Sequence, residues 1–327
     1  MNKIIYYIIL LITFSCIPCS AQFVSDEKFD KIKNSSIADV IINQNEILAI
    51  TDSCTFIKYD KELNEVKKMT HECSWTALYK FQNKILYKEN EKINDAESDI
   101  PFISMKKQIP DFWYSWRLFQ LSEDLILEYD DINRTTNYFS LSQKKSIKIP
   151  LDSGYSISNI AMINSDYYYI CKKKITDYYT LKVKVYNSSD LKFKYEVTEA
   201  GLDFSMHIEY YIDGSRIYLL IKDKLLLIDN KKVLQTYSLE NFNSSISKRN
   251  FVVINNKVYI PTEEGLYIND LETGKVKIEV PENFSKSCLF GFDKIISWND
   301  YLILLYGNSE IFGCKYNKYT MEFYKVK

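Results

Sequence analysis

Arginine is nearly absent from this 327-residue chain, occurring only as Arg117, Arg134, Arg216 and Arg249. Arginine is the main reader of guanine edges. The formal charge is −1, and lysines and acids are interspersed without a basic stripe. Binding to a phosphate backbone needs such a stripe, so nucleic acid is not an expected partner. Histidine is rarer still, with only His71 and His207. Nucleophilic Ser or Cys usually relies on a nearby His as base. The chain also lacks His-Glu-x-x-His, a Gly-rich phosphate loop and a Gly-x-Ser-x-Gly elbow. No catalytic residue, no metal and no cofactor is therefore assigned. The nearest pair is His71 and Cys73, two apart and so on one side of any strand. Glycine and proline are scarce, at 8 and 6 residues, which excludes collagen-like and low-complexity character.

Long apolar runs are missing too, except at the N-terminus. There Met1-Asn2-Lys3 is a short positive segment, and Ile4 to Phe14 is an apolar stretch of signal-peptide length. Pro18 follows, and Cys19-Ser20-Ala21 places small residues ahead of Gln22. Residues 1–21 are read as a signal peptide cleaved after Ala21. The alternative is a lipid anchor through Cys16, although Thr13-Phe14-Ser15 makes a poor lipobox. No other segment approaches membrane-spanning length, so the mature chain is expected not to be transmembrane and to act extracytoplasmically, in the periplasm, at the cell surface or secreted. Five cysteines then remain: Cys54, Cys73, Cys171, Cys288 and Cys314. An odd count at irregular spacing is no disulfide framework, though export permits a bridge. Cys54, Cys171 and Cys314 are read as buried thiols on strands.

What is abundant is tyrosine, at 27 residues beside 18 Phe and 4 Trp. Tyrosine suits a half-buried sheet, ring inward and hydroxyl wet. Helical periodicity is weak throughout. One unit recurs instead: an apolar strand, a short turn of Asn, Asp, Gly or Ser, and a second apolar strand. It appears around Asn45, Asn83, Glu123, Ser165, Gly214, Asn256 and Asn299. Such turns are hairpin signals. The first apolar residues after them are Ile47, Ile85, Leu125, Tyr167, Ile217, Val258 and Leu302. Their successive spacings are 38, 40, 42, 50, 41 and 44 residues, the range of blade-type repeats.

Each unit continues with two further strands. In the sixth these are Gly265 to Ile268 and Val276 to Val280, separated by Asn269-Asp270 and Thr273-Gly274-Lys275. The fifth has Leu225 to Ile228 and Val233 to Leu239. The first has Phe56 to Tyr59 and Val66 to Met69, and the seventh Ile311 to Tyr316 and Met321 to Val326. Only the second is irregular, with Glu89 to Asp99 reading as a polar loop. Alternation such as Lys182-Val183-Lys184-Val185 is expected to bury one side of a strand against the next unit.

On these residues the chain resembles the β-propeller superfamily. The strand, Asp/Asn, Thr-Gly-Lys, strand unit near Asp270 is similar to the loose repeats of quinoprotein-like and YVTN-like propellers. The resemblance implies an all-β, seven-bladed propeller of four-stranded antiparallel blades. It would occupy residues 37–327 behind an N-terminal extension, 22–36. It implies no cofactor.

In propellers the turns within the first and last strand pairs lie on one side. Connections between blades lie on the other, where ligands usually bind. Applied to this chain, the resemblance places His71, Trp75, Asp111, Trp113, Tyr114, Trp116, Tyr155, Phe204 and His207 on one rim. These are the expected ligand-binding residues, since loops on a rigid scaffold carry function and exposed Trp and Tyr make hot spots. The competing reading packs these aromatics between blades.

The expected function is a non-enzymatic binding or scaffold protein that recognises a protein or peptide partner, with an inhibitor or immunity partner as one variant. The alternative is carbohydrate binding or processing. Trp and Tyr would stack on sugar rings, and Asp111, Asp152 and Asp203 would be candidate acids.

Overall fold

The computed structural model describes residues 22–23, 29, 32, 37–71, 78–89, 92–98, 100–104, 116–120, 125–130, 135–140, 142–143, 145–147, 152–176, 178–202, 208–229, 231–240, 242, 250–262, 264–280, 289–308 and 319–326. The signal-peptide reading of residues 1–21 lies outside them. The chain is an all-β propeller whose described strands form seven four-stranded antiparallel sheets.

We number these blades in chain order. Blade one is Ile37–Asn43, Glu46–Thr51, Thr55–Tyr59 and Glu65–Thr70, and blade two is Leu78–Phe81, Lys84–Glu89, Lys92–Asp95 and Pro101–Ser104. Blade three is Trp116–Gln120, Leu125–Asp130, Thr135–Ser140 and Lys145–Ile147; blade four is Ser156–Ile163, Asp166–Ile175, Tyr178–Asn187 and Phe193–Leu202. Blade five is Ile208–Asp213, Arg216–Ile221, Lys224–Asp229 and Lys232–Ser238; blade six is Val252–Ile254, Lys257–Thr262, Gly265–Asp270 and Val276–Glu279. Blade seven is Leu289–Trp298, Tyr301–Asn308, Tyr319–Lys325 and, from the other end of the chain, Gln22–Phe23.

The turn residues explain the hairpins. Both central residues of the first turn in blades one, four and six have positive φ: Gln44 and Asn45, Asn164 and Ser165, Asn255 and Asn256. That is the primed turn matching the strand twist, and Asn tolerates it best after Gly. The last turn of blades one, four and six is built alike. Asp60, just past the third strand, or Asn187 or Asp270 at its end, accepts backbone N–H bonds from residues two to four further on. Leu63, Leu191 or Gly274 then takes positive φ and donates its N–H back to that residue's carbonyl at 3.0, 2.9 or 2.8 Å. Gly265 is needed for another reason. Its φ is +132°, and an added Cβ would lie 2.4 Å from the Glu279 carbonyl oxygen.

Burial differs by strand position. The second strands of blades one, five and six are buried along almost their whole length, as in Ile47 to Thr51 and Ile217 to Ile221. In blade one, one side of this strand packs on blade seven and the other on blade two. Ile47 and Ala49 pack with Ile303, Leu305 and Phe323 of blade seven, while Leu48 and Ile50 pack with Leu78, Ile85 and Tyr87 of blade two. The fourth strands are largely exposed, as in Glu65–Thr70. The expectation of one buried side therefore holds for the outer strands only. A sheet stacked between two neighbours demands continuous apolar runs at its centre. Even Lys184, on an alternating third strand, is buried.

Three further expectations are corrected. Glu89 to Asp99 is no long loop, because Lys92–Asp95 is the third strand of blade two. Its polar residues are buried because they are paired. Asn94 Nδ2 donates to the Tyr87 hydroxyl at 3.2 Å, and Lys84 Nζ lies 2.5 Å from Asp95 Oδ2. Pro101 opens the fourth strand, an edge where no ladder donor is needed. In blade seven, Met321 to Val326 falls in the third strand and not the fourth; the segment Ile311 to Tyr316 lies outside the described residues. Gln22–Phe23, ahead of the span expected for the propeller, pairs with Lys325 and Tyr324. Phe29 and Ile32, both fully buried, wedge between blades seven and one, with the Phe29 ring 4.4 Å from that of Phe323. Finally, Cys54 is not a buried thiol on a strand. It lies half-buried in the turn between the second and third strands of blade one, with φ 59°, and is disulfide-bonded. Cys171 is a free, buried thiol.

Candidate functional site

Antiparallel pairing fixes which connections share an end of the blades. Turns joining first to second and third to fourth strands lie at one end. Turns joining second to third strands, and connections between blades, lie at the other. His71 and Tyr155 belong to this second end. Trp75, Asp111, Trp113, Tyr114, Phe204 and His207 lie outside the described residues. Trp116 is described by its backbone alone and begins the first strand of blade three.

His71 is buried at the seam of blades one and two. Its backbone N–H donates to the Cys54 carbonyl at 3.0 Å, which ties the exit of the fourth strand to the disulfide-bonded turn. Its ring stacks on Tyr87 at 4.6 Å and stands 6.4 Å from Phe56.

Tyr155 is half-buried and sits in the segment leading into blade four. Gly154, with φ +80°, lets that segment turn against the sheet, where an added Cβ would stand 3.1 Å from Lys173 Cε. Two ammonium groups lie over the Tyr155 ring, Lys182 at 4.7 Å and Lys173 at 5.7 Å from the centroid. Asp152 gathers two lysines, with Lys184 Nζ at 2.5 Å from Oδ1 and Lys182 Nζ at 3.0 Å from Oδ2. These hydrogen bonds, Lys184's first, hold the Asp152 carboxyl below the usual carboxylate range. Lys182 also lies 3.5 Å from Glu196. The arrangement is a cationic, aromatic patch at the loop end, in which only Lys173 has no carboxylate partner among the described residues.

Sequence reasoning missed a second set of polar residues on the first strands. Asp39, Asn159 and Lys294 each follow a register shift, after Ile37, Ile157 and Phe292 respectively. Asp39 Oδ2 accepts the Leu78 N–H of blade two at 2.8 Å. Asn159 Nδ2 donates to the Ile208 carbonyl of blade five at 2.7 Å. The bulge re-aims each side chain across to a neighbouring blade. A signal was present: each stands eight residues before the first apolar residue after its turn, Ile47, Tyr167 and Leu302.

Among the described residues no three His, Cys, Asp or Glu side chains gather as a metal site, and no helix is long and apolar enough to cross a membrane.

No protein-family model matches the chain, and no curated protein matches it. Among solved structures, it is similar to BamB from Moraxella catarrhalis. The two are 10% identical, with a TM-score of 0.47, covering 88% of this chain and 82% of that one. It is also similar to the computationally designed Ika8 protein, at 10% identity and a TM-score of 0.49, covering 94% of this chain and 100% of that one. Neither likeness, at these values, bears on what the chain binds.

Proposed function

We propose that the protein is an exported, non-enzymatic scaffold, a closed ring of seven blades built from residues 37–327 and completed by Gln22–Phe23, that recognises a protein or peptide through its inter-blade loop end. The observation that carries this reading is the asymmetry of the two ends. One end holds tight turns, several closed by their own Asx hydrogen bonds. The other receives the disulfide-bonded turn, the cationic patch around Tyr155 and, by their place in sequence, Trp75, Asp111, Trp113, Tyr114, Phe204 and His207. Rigid scaffolds present recognition residues on such loops. The disulfide at Cys54 fits an oxidising, extracytoplasmic compartment.

Capture from envelope extracts of the source cell with immobilised protein tests the reading. A specific partner is expected, and Trp113→Ala/Tyr114→Ala is expected to release it with an unchanged unfolding midpoint. Retention of that partner by the double variant overturns the assignment of the rim.

A further inference from the structure

The second strand of blade four is longer than its counterparts. In blades one, two, five and six that strand ends at Thr51, Glu89, Ile221 and Thr262, four residues past Ile47, Ile85, Ile217 and Val258. In blade four it ends at Ile175, eight past Tyr167, and the third strand starts correspondingly early at Tyr178. Four more residues at about 3.3 Å each carry the hairpin roughly 13 Å further toward the loop end. The first strand of the blade stops at Ser156, opposite Lys172, so the pairs Lys173↔Thr180, Lys174↔Tyr179 and Ile175↔Tyr178 stand beyond it.

The projecting pairs have a defined chemistry. Ile175 and Tyr178 face each other across the ladder at its tip and are 37% and 42% exposed. Residues two apart share a side of a strand, so Lys173 lies on the side of Ile175, and Thr180 and Lys182 on that of Tyr178. That same side meets Tyr155, through the Lys173 and Lys182 ammonium groups. Between Cys171 and Lys182 the sequence has Lys172, Lys173, Lys174 and Lys182 against one carboxylate, Asp177. Ile175 and Tyr178 at the tip, Lys173 and Lys182 on the stem and Tyr155 at the base thus share one side of the hairpin, with Lys172 and Lys174 on the other.

We propose that this blade-four hairpin is a docking arm for an acidic peptide segment of a partner protein, its apolar side chain held by Ile175 and Tyr178 and its carboxylate by Lys173 on the same side of the ladder. The proposal rests on the scaffold reading above and names the chemistry of its partner. Charge complementarity selects an acidic occupant. A narrow, extended chain can lie along this side of the arm, whereas a flat bilayer meets only the tip, because Lys182 nearer the base is 15% exposed.

The test uses three probes on the intact protein: a fluorescein-labelled peptide alternating Glu and Phe, its Lys/Phe counterpart, and phosphatidylglycerol vesicles. The Glu/Phe peptide is expected to bind, more weakly at high salt. Lys173→Glu and Ile175→Ser/Tyr178→Ser should each weaken it about tenfold or more, with the unfolding midpoint unchanged because Ile175 and Tyr178 are exposed and Lys173 is half-buried. Equal affinity in intact and variant proteins, preference for the Lys/Phe peptide, or vesicle binding in place of peptide binding each overturns the arm. The two readings separate on the native partner. A partner held by both arm variants but released by Trp113→Ala/Tyr114→Ala removes the arm alone. A Glu/Phe peptide bound through the arm, with no native partner captured, keeps the arm and removes the broader reading.

Discussion

Lys294 and Asp39 join blade seven to blade one across 255 residues of sequence. The Lys294 ammonium donates to Asp39 Oδ1 at 2.8 Å and to the Val40 carbonyl at 2.8 Å. The other Asp39 oxygen accepts the Leu78 N–H, so a single carboxylate ties three blades.

Asp39→Ala is expected to destabilise the protein by about 2 kcal/mol, the scale for hydrogen bonds to a charged group. Asp39→Asn keeps an acceptor for Leu78 and should cost about half as much. Urea unfolding measures both. Combining Asp39→Ala with Lys294→Met should cost less than the two changes taken separately. Strict additivity would show that the contact couples nothing.

Asp152 predicts an acid limb in stability. Hydrogen bonds from Lys184 and then Lys182 depress its carboxyl in the folded state. A depressed folded pKa stabilises above the unfolded value, about 3.9 for Asp, and that contribution fades as pH falls through the folded value. Asp152→Asn should therefore flatten the stability profile below about pH 4 and change its slope little near neutrality. A carboxyl titration by NMR with its midpoint at or above the peptide value would contradict the geometry.

The two described cysteines should behave oppositely. Burial pushes the Cys171 thiol up to about 12. The thiolate is the reactive form, so native Cys171 should hold roughly a thousandfold less of it than a free thiol and resist iodoacetamide. Cys54, being disulfide-bonded, should label only after reduction. Peptide mapping of labelled protein distinguishes them, and prompt native labelling at Cys171 would overturn its burial.

Much of the strand order was readable because the turn chemistry repeats. Asn at the first turns and Asp or Asn at the end of the third strand mark backbone conformations that few other residues adopt. The third strand of blade two was hidden because Asn94 and Asp95 look like loop residues until Tyr87 and Lys84 supply their partners. The fourth strand of blade seven was hidden because it comes from the other end of the chain, and no local pattern carries a pairing between Phe23 and Tyr324. The site was legible in part. The 50-residue interval between Tyr167 and Ile217 already contained the extra length of the blade-four hairpin, but interval alone does not say which turn has grown. The pairing of Asp152 with Lys182 and Lys184 is tertiary, and nothing in a one-dimensional pattern announces it.

Because Gln22–Phe23 complete a sheet whose other strands end at Lys325, that sheet cannot be finished before the residues up to Lys325 have been made. Until then the earlier sheets stand as an unclasped arc with two greasy flanks. The strand Tyr319–Lys325 is the latch, so chaperone dependence and sensitivity to its deletion should concentrate at the moment it emerges.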